Sequence, residues 1–91
     1  SLLFAVRLRV VALETGFIRI IFKNKLLIAE LPPESNTLYY EHLFMPLTKF
    51  VSTIPAGRFV QKKDKVFMEA PISTREQCLD FLQKLARSLQ E

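Results

Sequence analysis

The chain has 91 residues and a formal net charge of +4 at pH 7, and 49% of its residues are hydrophobic. This length fits one domain, the apolar content excludes a disordered segment, and no stretch approaches the roughly 20 apolar residues that a membrane-spanning helix needs. The single cysteine excludes an internal disulfide and fits a reducing compartment. We therefore expect one domain over residues 1–91, intracellular, in the cytoplasm or the nucleus, and cut from a longer chain because it starts at Ser1 inside a patterned segment.

The first third of the chain has the pattern of three consecutive strands. Between Phe4 and Leu13, apolar residues alternate with Arg7 and Arg9, and a period of two is typical of a strand with one buried face. Gly16 then marks a turn. The predicted strands cover residues 4–13, 17–23 and 26–31. The third is apolar on both faces, so we expect a meander in which it is the most buried strand.

The middle of the chain changes to a helical period. Its apolar side chains lie on one stripe of a helix, formed by Tyr40, Leu43, Phe44, Leu47, Phe50, Val51 and Ile54. Asn36 or Thr37 is a candidate cap at its start. Pro46 lies inside the stripe, and because an internal proline costs about 3 kcal/mol, we expect the helix to be kinked or broken there. The β-branched residues keep an alternative open, with strands at 38–44 and 47–54.

The last third predicts a hairpin and a terminal helix. Residues 58–61 and 66–70 form the hairpin around the basic turn 62–65. Ser73 and Glu76 match a capping box, which opens a helix over residues 74–90. The residues predicted to share the inward stripe of this helix are Cys78, Leu79, Leu82, Leu85, Ala86 and Leu89.

These elements predict an α+β domain in the order βββ-α-ββ-α, an antiparallel sheet of about five strands with both helices on one face. In element order alone, residues 14–91 resemble the body of secretion-chaperone-like domains, which are small dimeric adaptors that hold an effector protein in extended form. The alternative, seven strands forming a barrel with a C-terminal helix, resembles a pleckstrin-homology-like domain. No sequence motif carries either resemblance, so neither assigns a family, and both imply binding rather than catalysis.

Candidates for catalysis are few. His42 is the only histidine, and the helical spacing predicts that it faces away from the apolar stripe. Cys78 lies on the apolar stripe of the last helix, which favours a buried core residue over a nucleophile. Gly16 and Gly57 stand alone, so no glycine-rich phosphate loop exists. We therefore predict that the chain is not an enzyme and uses no metal and no cofactor.

One surface is a candidate for binding. The predicted strands place basic and apolar side chains on the uncovered face of the sheet, namely Arg7, Arg9, Phe17, Arg19, Ile21 and Lys23. The hydrophobic content also exceeds what so small a domain can hide. We predict a protein-interaction module that docks a partner chain or forms a homodimer. The alternative is an anion-binding domain that recognises phosphoinositide or nucleic acid through the basic face.

Overall fold

The computed structural model describes residues 2–90. Within them the helices and strands are α1 (Leu2–Thr15), β1 (Arg19–Lys23), β2 (Leu26–Glu30), α2 (Thr37–His42), α3 (Phe44–Val51), β3 (Arg58–Lys62), β4 (Lys65–Pro71) and α4 (Arg75–Leu89). The strands form one antiparallel sheet in the order β1-β2-β4-β3, so β1 and β3 are its edges. The predicted α+β class is confirmed.

The helices pack on one face of the sheet. The ring of Phe4 in α1 lies 6.1 Å from that of Phe22 in β1. The ring of Phe44 in α3 lies 5.5 Å from that of Phe59 in β3. Phe22 and Phe59 are on the same side of the sheet, because the register places Phe59 level with Ile20, two residues from Phe22. The fully buried core between the layers includes Leu27, Ala29, Leu47, Met68, Leu82 and Leu85. We call the opposite side of the sheet the open face.

The first element differs from its prediction. Residues 4–13 belong to helix α1 and not to a strand. Apolar residues lie on every side of this segment, so Phe4, Leu8 and Val11 follow a helical spacing although the period of two is also present. At the helix end, the Thr15 hydroxyl donates to the Val11 carbonyl (2.8 Å) and Gly16 takes a φ of +81°. Within residues 2–90 the sheet therefore has four strands, and the expected count of about five is wrong.

The middle of the chain is helical, and the helix is broken as predicted. The break falls at Leu43, between α2 and α3, and Pro46 is the third residue of α3. Backbone N–H groups in the first turn of a helix have no acceptor within the helix, so proline is tolerated there. Asn36 caps α2, because its side-chain oxygen accepts a hydrogen bond from the backbone N–H of Tyr39 (3.2 Å). In residues 2–90 the alternative strands at 38–44 and 47–54 do not form, and the sheet is open rather than a seven-stranded barrel.

Two hairpins with short turns build the sheet. The β1–β2 turn consists of Asn24 and Lys25, both in the left-handed region with φ of +55° and +59°. The predicted second hairpin is confirmed, and β3 and β4 extend to Lys62 and Lys65 on either side of its turn. Since β2 pairs with β4, the hairpins join through their inner strands.

The terminal helix is confirmed, but its cap is displaced by one residue. Thr74, and not Ser73, is the N-cap of α4, and its hydroxyl accepts a hydrogen bond from the backbone N–H of Gln77 (3.1 Å). The sequence holds two overlapping capping patterns, and Glu76 belongs to the one that the helix does not use. On the predicted stripe, Leu79 is half-buried and the other members are buried, namely Cys78, Leu82, Leu85, Ala86 and Leu89.

Candidate functional site

The outward side of α1 is apolar. Its exposed side chains are Leu2, Leu3, Val6, Val10 and Leu13, with between 47% and 86% of each residue accessible to solvent. They lie opposite Leu8, Val11 and Thr15, which α1 buries against the rest of the domain. Helices on the surface of a domain normally carry polar residues on this side. We call these five residues the α1 surface.

A groove separates α1 from the edge strand β1. It has a volume of about 580 Å³. Its apolar lining includes Leu8, Ala12, Leu13, Phe17, Ile18 and Ile20, and the guanidinium-bearing residues Arg9 and Arg19 also border it. Leu13 belongs to both this groove and the α1 surface, so the two apolar regions are continuous. Ile18 extends the exposed apolar area to the start of β1, where it is more than half exposed. We call this depression the α1–β1 groove.

The outer edge of β1 carries backbone groups without partners among residues 2–90. Leu31 donates a hydrogen bond to the Val66 carbonyl (2.9 Å), so alternate residues of β2 direct their backbone groups toward β4 and those between them toward β1. The pairs are Arg19 with Glu30, Ile21 with Ile28 and Lys23 with Leu26. The N–H and C=O groups of Ile20 and Phe22 therefore point away from the sheet, and no bond from another described segment reaches them.

The six residues predicted to form one binding face are divided by the fold. Arg19, Ile21 and Lys23 lie side by side on the open face of β1, as the period of two predicts. Arg7 and Arg9 are on α1, because that segment is a helix. These two arginines are on different sides of α1: Arg9 borders the α1–β1 groove with Arg19, and Arg7 lines a depression with Arg75 and Leu79.

Phe17, the sixth residue of the predicted face, is a core residue. Only 4% of it is exposed, at the floor of the α1–β1 groove. The structure thus brings Arg9 and Arg19 to one groove and keeps Lys23 on the same strand as Arg19. Arg9 and Arg19 are close to each other because α1 packs beside β1, and the spacing of residues in the sequence does not predict that packing.

Two buried carboxylates on the open face were missed by the sequence analysis. Glu30 and Glu69 are 9% and 6% exposed, although no helix of residues 2–90 covers this side. Arg58 donates to Glu69 through Nη2 (3.0 Å) and Nε (3.2 Å). Glu30 lies between Arg19 Nη2 (3.7 Å) and Lys65 Nζ (3.9 Å). The hairpin register, which places Glu30 opposite Arg19, is the signal that could have found the first of them.

The two buried carboxylates of the open face are therefore paired with Arg19, Arg58 and Lys65, whereas Lys23 on the same face is unpaired within the described chain. Arg7, Arg9 and Lys23 form no ion pair with any residue in the range 2–90. An unpaired arginine or lysine at the border of an apolar surface is available to a carboxylate on another molecule.

The side chains that could act as a nucleophile or a base, Cys78 and His42, do not form a catalytic site in the structure. Cys78 is fully buried, and its burial raises the pKa of the thiol to about 11, so that the thiol stays protonated at neutral pH. His42 is exposed at the end of α2. In the described part of the chain, no group of three or more histidine, cysteine, aspartate or glutamate side chains is placed to hold a metal ion.

Comparisons with known proteins add no assignment. No family model matches the sequence, and no curated protein or solved structure matches it at a significant level. Among residues 2–90, no helix has the length and apolar character to cross a membrane.

Proposed function

We propose that this chain is a non-catalytic protein-interaction module, an adaptor or chaperone-like domain, that docks a partner chain on the α1 surface. The observation that carries the proposal is the apolar outer side of α1, where Leu2, Val6, Val10 and Leu13 recur at helical spacing and remain exposed. Contiguous apolar area of this kind is uncommon on a monomeric soluble protein and is typical of docking sites.

The energetics favour association over exposure. Full burial of a leucine or valine side chain contributes about 1.5 to 3 kcal/mol. The α1 surface offers several such side chains on one rigid helix, so a partner gains this free energy without first ordering a loop. Arg7 and Arg9 border the stripe on different sides, which favours a partner whose apolar contact has an acidic rim.

The test compares a stripe variant with a matched control. The double variant Val6→Ser/Val10→Ser removes apolar area from the centre of the α1 surface, and Leu38→Ser removes an exposed leucine from α2. In quantitative affinity capture from the native cell, the wild type and Leu38→Ser should bind the same set of partner proteins. Val6→Ser/Val10→Ser should no longer bind that set.

Light scattering of the same proteins tests whether the partner is a second copy. A wild-type dimer that Val6→Ser/Val10→Ser converts to a monomer would identify the homodimer. If the wild type is monomeric at micromolar concentrations and its captured partners are the same as those of the double variant, the proposal is wrong.

A second proposal, with less support, is an anion-binding role for phosphoinositide headgroups or nucleic acid. Its support is the pair Arg9 and Arg19 at one groove together with the unpaired Lys23. Glu30 beside Arg19 weakens it, since a carboxylate repels a phosphate at the same position. Binding should fall steeply with salt. An absence of binding to phosphoinositide vesicles and to single-stranded oligonucleotides at low salt would contradict it.

A further inference from the structure

The free edge of β1 and the α1–β1 groove adjoin each other, because Ile20 belongs to both. We infer that an extended acidic segment of a partner protein adds to β1 as a further strand of the sheet and places its apolar side chains in the α1–β1 groove. The inference rests on the proposed function in one respect only, namely that the partner is a protein chain.

The outer edge of β1 has backbone groups that can pair with a further strand. The N–H and C=O groups of Ile20 and Phe22 point outward, and no described segment bonds to them. A strand aligned with this edge would accept hydrogen bonds from the N–H groups of Ile20 and Phe22 and donate hydrogen bonds to their C=O groups. This arrangement is β-augmentation. The other edge strand offers less apolar area, because the helix side of β3 presents Phe59 and the polar Gln61 where β1 presents Ile20 and Phe22.

The side chains of β1 define the pattern of the added strand. On the helix side, its residues would lie beside Ile20, which lines the α1–β1 groove, and beside Phe22, whose ring packs against that of Phe4. On the open face, its residues would lie beside Arg19, Ile21 and Lys23. Since side chains alternate along a strand, the matching segment reads acidic, apolar, any residue, apolar, acidic.

The charges of β1 disfavour a second copy of this chain as the added strand. Residues 17–25 contain Arg19, Lys23 and Lys25 and no acidic residue. An antiparallel pair of β1 strands centred on Ile21 would place Arg19 opposite Lys23 twice, and like charges in that position destabilise a sheet. The same charges keep copies of this domain from pairing edge to edge. An acidic segment converts both repulsive positions into attractive ones.

The probe is a fluorescein-labelled peptide with the core Glu-Val-Thr-Val-Glu, whose pattern is the same in both strand directions. Fluorescence anisotropy should show saturable binding to the wild-type chain. A peptide with Lys in place of both Glu residues should bind at least about tenfold more weakly. No saturation by about 1 mM, or equal binding of the two peptides, would overturn the inference.

A pair of variants at Ile20 isolates the backbone hydrogen bond. Ile20→Pro removes the outward N–H, and Ile20→Ala keeps it while truncating the side chain to a similar extent. Proline is tolerated at this position of an edge strand, since the missing N–H has no partner in the sheet. We expect the proline variant to bind the peptide about tenfold more weakly than the alanine variant. Equal affinities of two folded variants would rule out strand addition.

A surface charge variant keeps the test decisive if Ile20→Pro does not fold. Lys23→Glu should weaken binding of the acidic peptide about fivefold and strengthen binding of the lysine peptide. Lys62→Glu, an equivalent change on the far edge strand, should leave both affinities within about twofold of wild type. If Lys62→Glu weakens binding as much as Lys23→Glu does, the peptide is attracted by net charge and not held at β1.

The outcome separates this inference from the proposed function. Val6→Ser/Val10→Ser leaves β1 unchanged, so it tests docking on the α1 surface alone. If partner capture depends on Val6 and Val10 but the peptide does not bind, strand addition is refuted. The proposal that the α1 surface docks a partner is then still supported. Peptide binding that follows the Ile20 and Lys23 variants supports strand addition even if capture fails.

Discussion

α1 and α4 are helices of 14 and 15 residues that lie against each other over the same sheet, yet their outer sides are opposites. α4 turns charged residues to solvent, including an ion pair between Lys84 Nζ and Asp80 Oδ2 (3.0 Å). α1 turns Val6, Val10 and leucines to solvent. A helix needs only one apolar side to join a core, so the second apolar side of α1 has no role in the described fold. This difference between the helices is the reason that we propose the α1 surface as the docking site.

The largest expected effect lies in the core side of α4. Leu82 is fully buried, and Leu82→Ala should lower the free energy of unfolding by about 2 to 5 kcal/mol because it leaves a cavity. Val10→Ala, the matched change on the α1 surface, should cost less than about 0.5 kcal/mol. Urea denaturation of both variants measures the contrast. Equal losses would mean that the outer side of α1 is covered in solution.

The next effect lies where α1 ends. Gly16 has a φ of +81°, and a Cβ at this position would lie 2.8 Å from Tyr39 Cε2. Gly16→Ala should therefore cost about 1 to 3 kcal/mol, through the left-handed backbone and the displaced ring. Gly57→Ala is the comparison and should cost less, since Gly57 has no positive φ, although a Cβ there would lie 3.1 Å from the Val51 carbonyl oxygen. The prediction fails if the two variants melt at the same temperature.

Alkaline pH should lower the free energy of unfolding through Cys78, a buried residue of α4. Burial raises the pKa of the Cys78 thiol from 9.0 to about 11, so the folded state holds this proton more tightly than the unfolded state does. The contribution is complete below pH 9 and is lost as the pH rises toward 11, with a slope of at most about 1.4 kcal/mol per pH unit. Denaturation at several pH values measures it. The slope should be smaller in Cys78→Ala, even though that variant is less stable at pH 7.

The smallest effect distinguishes the two capping patterns of α4. Thr74→Ala removes the acceptor for the Gln77 N–H and should cost about 1 kcal/mol. Ser73→Ala should change the free energy of unfolding by less than about 0.5 kcal/mol, because Ser73 does not cap the helix. The reverse order in thermal melts would place the cap at Ser73.

A segment of this fold is predictable where it has a polar side opposite its apolar side. α4 is the best case: a charged side, a capping residue and an apolar stripe all agree on one helix. α1 lacks this complement: its two arginines are two residues apart, which matches the period of a strand, and on a helix they lie on different sides and mark no polar face. Only the packing of Leu8 and Val11 in the core decides in favour of the helix.

The candidate site is predictable only where it depends on a single strand. Arg19, Ile21 and Lys23 share a side of β1, and the period of two is sufficient to show it. The meeting of Arg9 with Arg19 depends on the packing of α1 beside β1, which is a tertiary contact. The free edge of β1 likewise depends on the order of strands in the sheet, and local pattern does not specify that order.

The pairing of β2 with β4 has a consequence for the speed of folding. Each hairpin closes through a short turn and involves only local contacts, which form within about 1 to 10 μs. Glu30 pairs with Phe67 only after the chain has passed through α2, α3 and β3, so joining the hairpins closes a long loop. We expect this step to limit the rate. Met68→Ala, where β4 pairs with β2, should then slow refolding in stopped-flow measurements. Thr74→Ala, at the start of α4, should mainly accelerate unfolding.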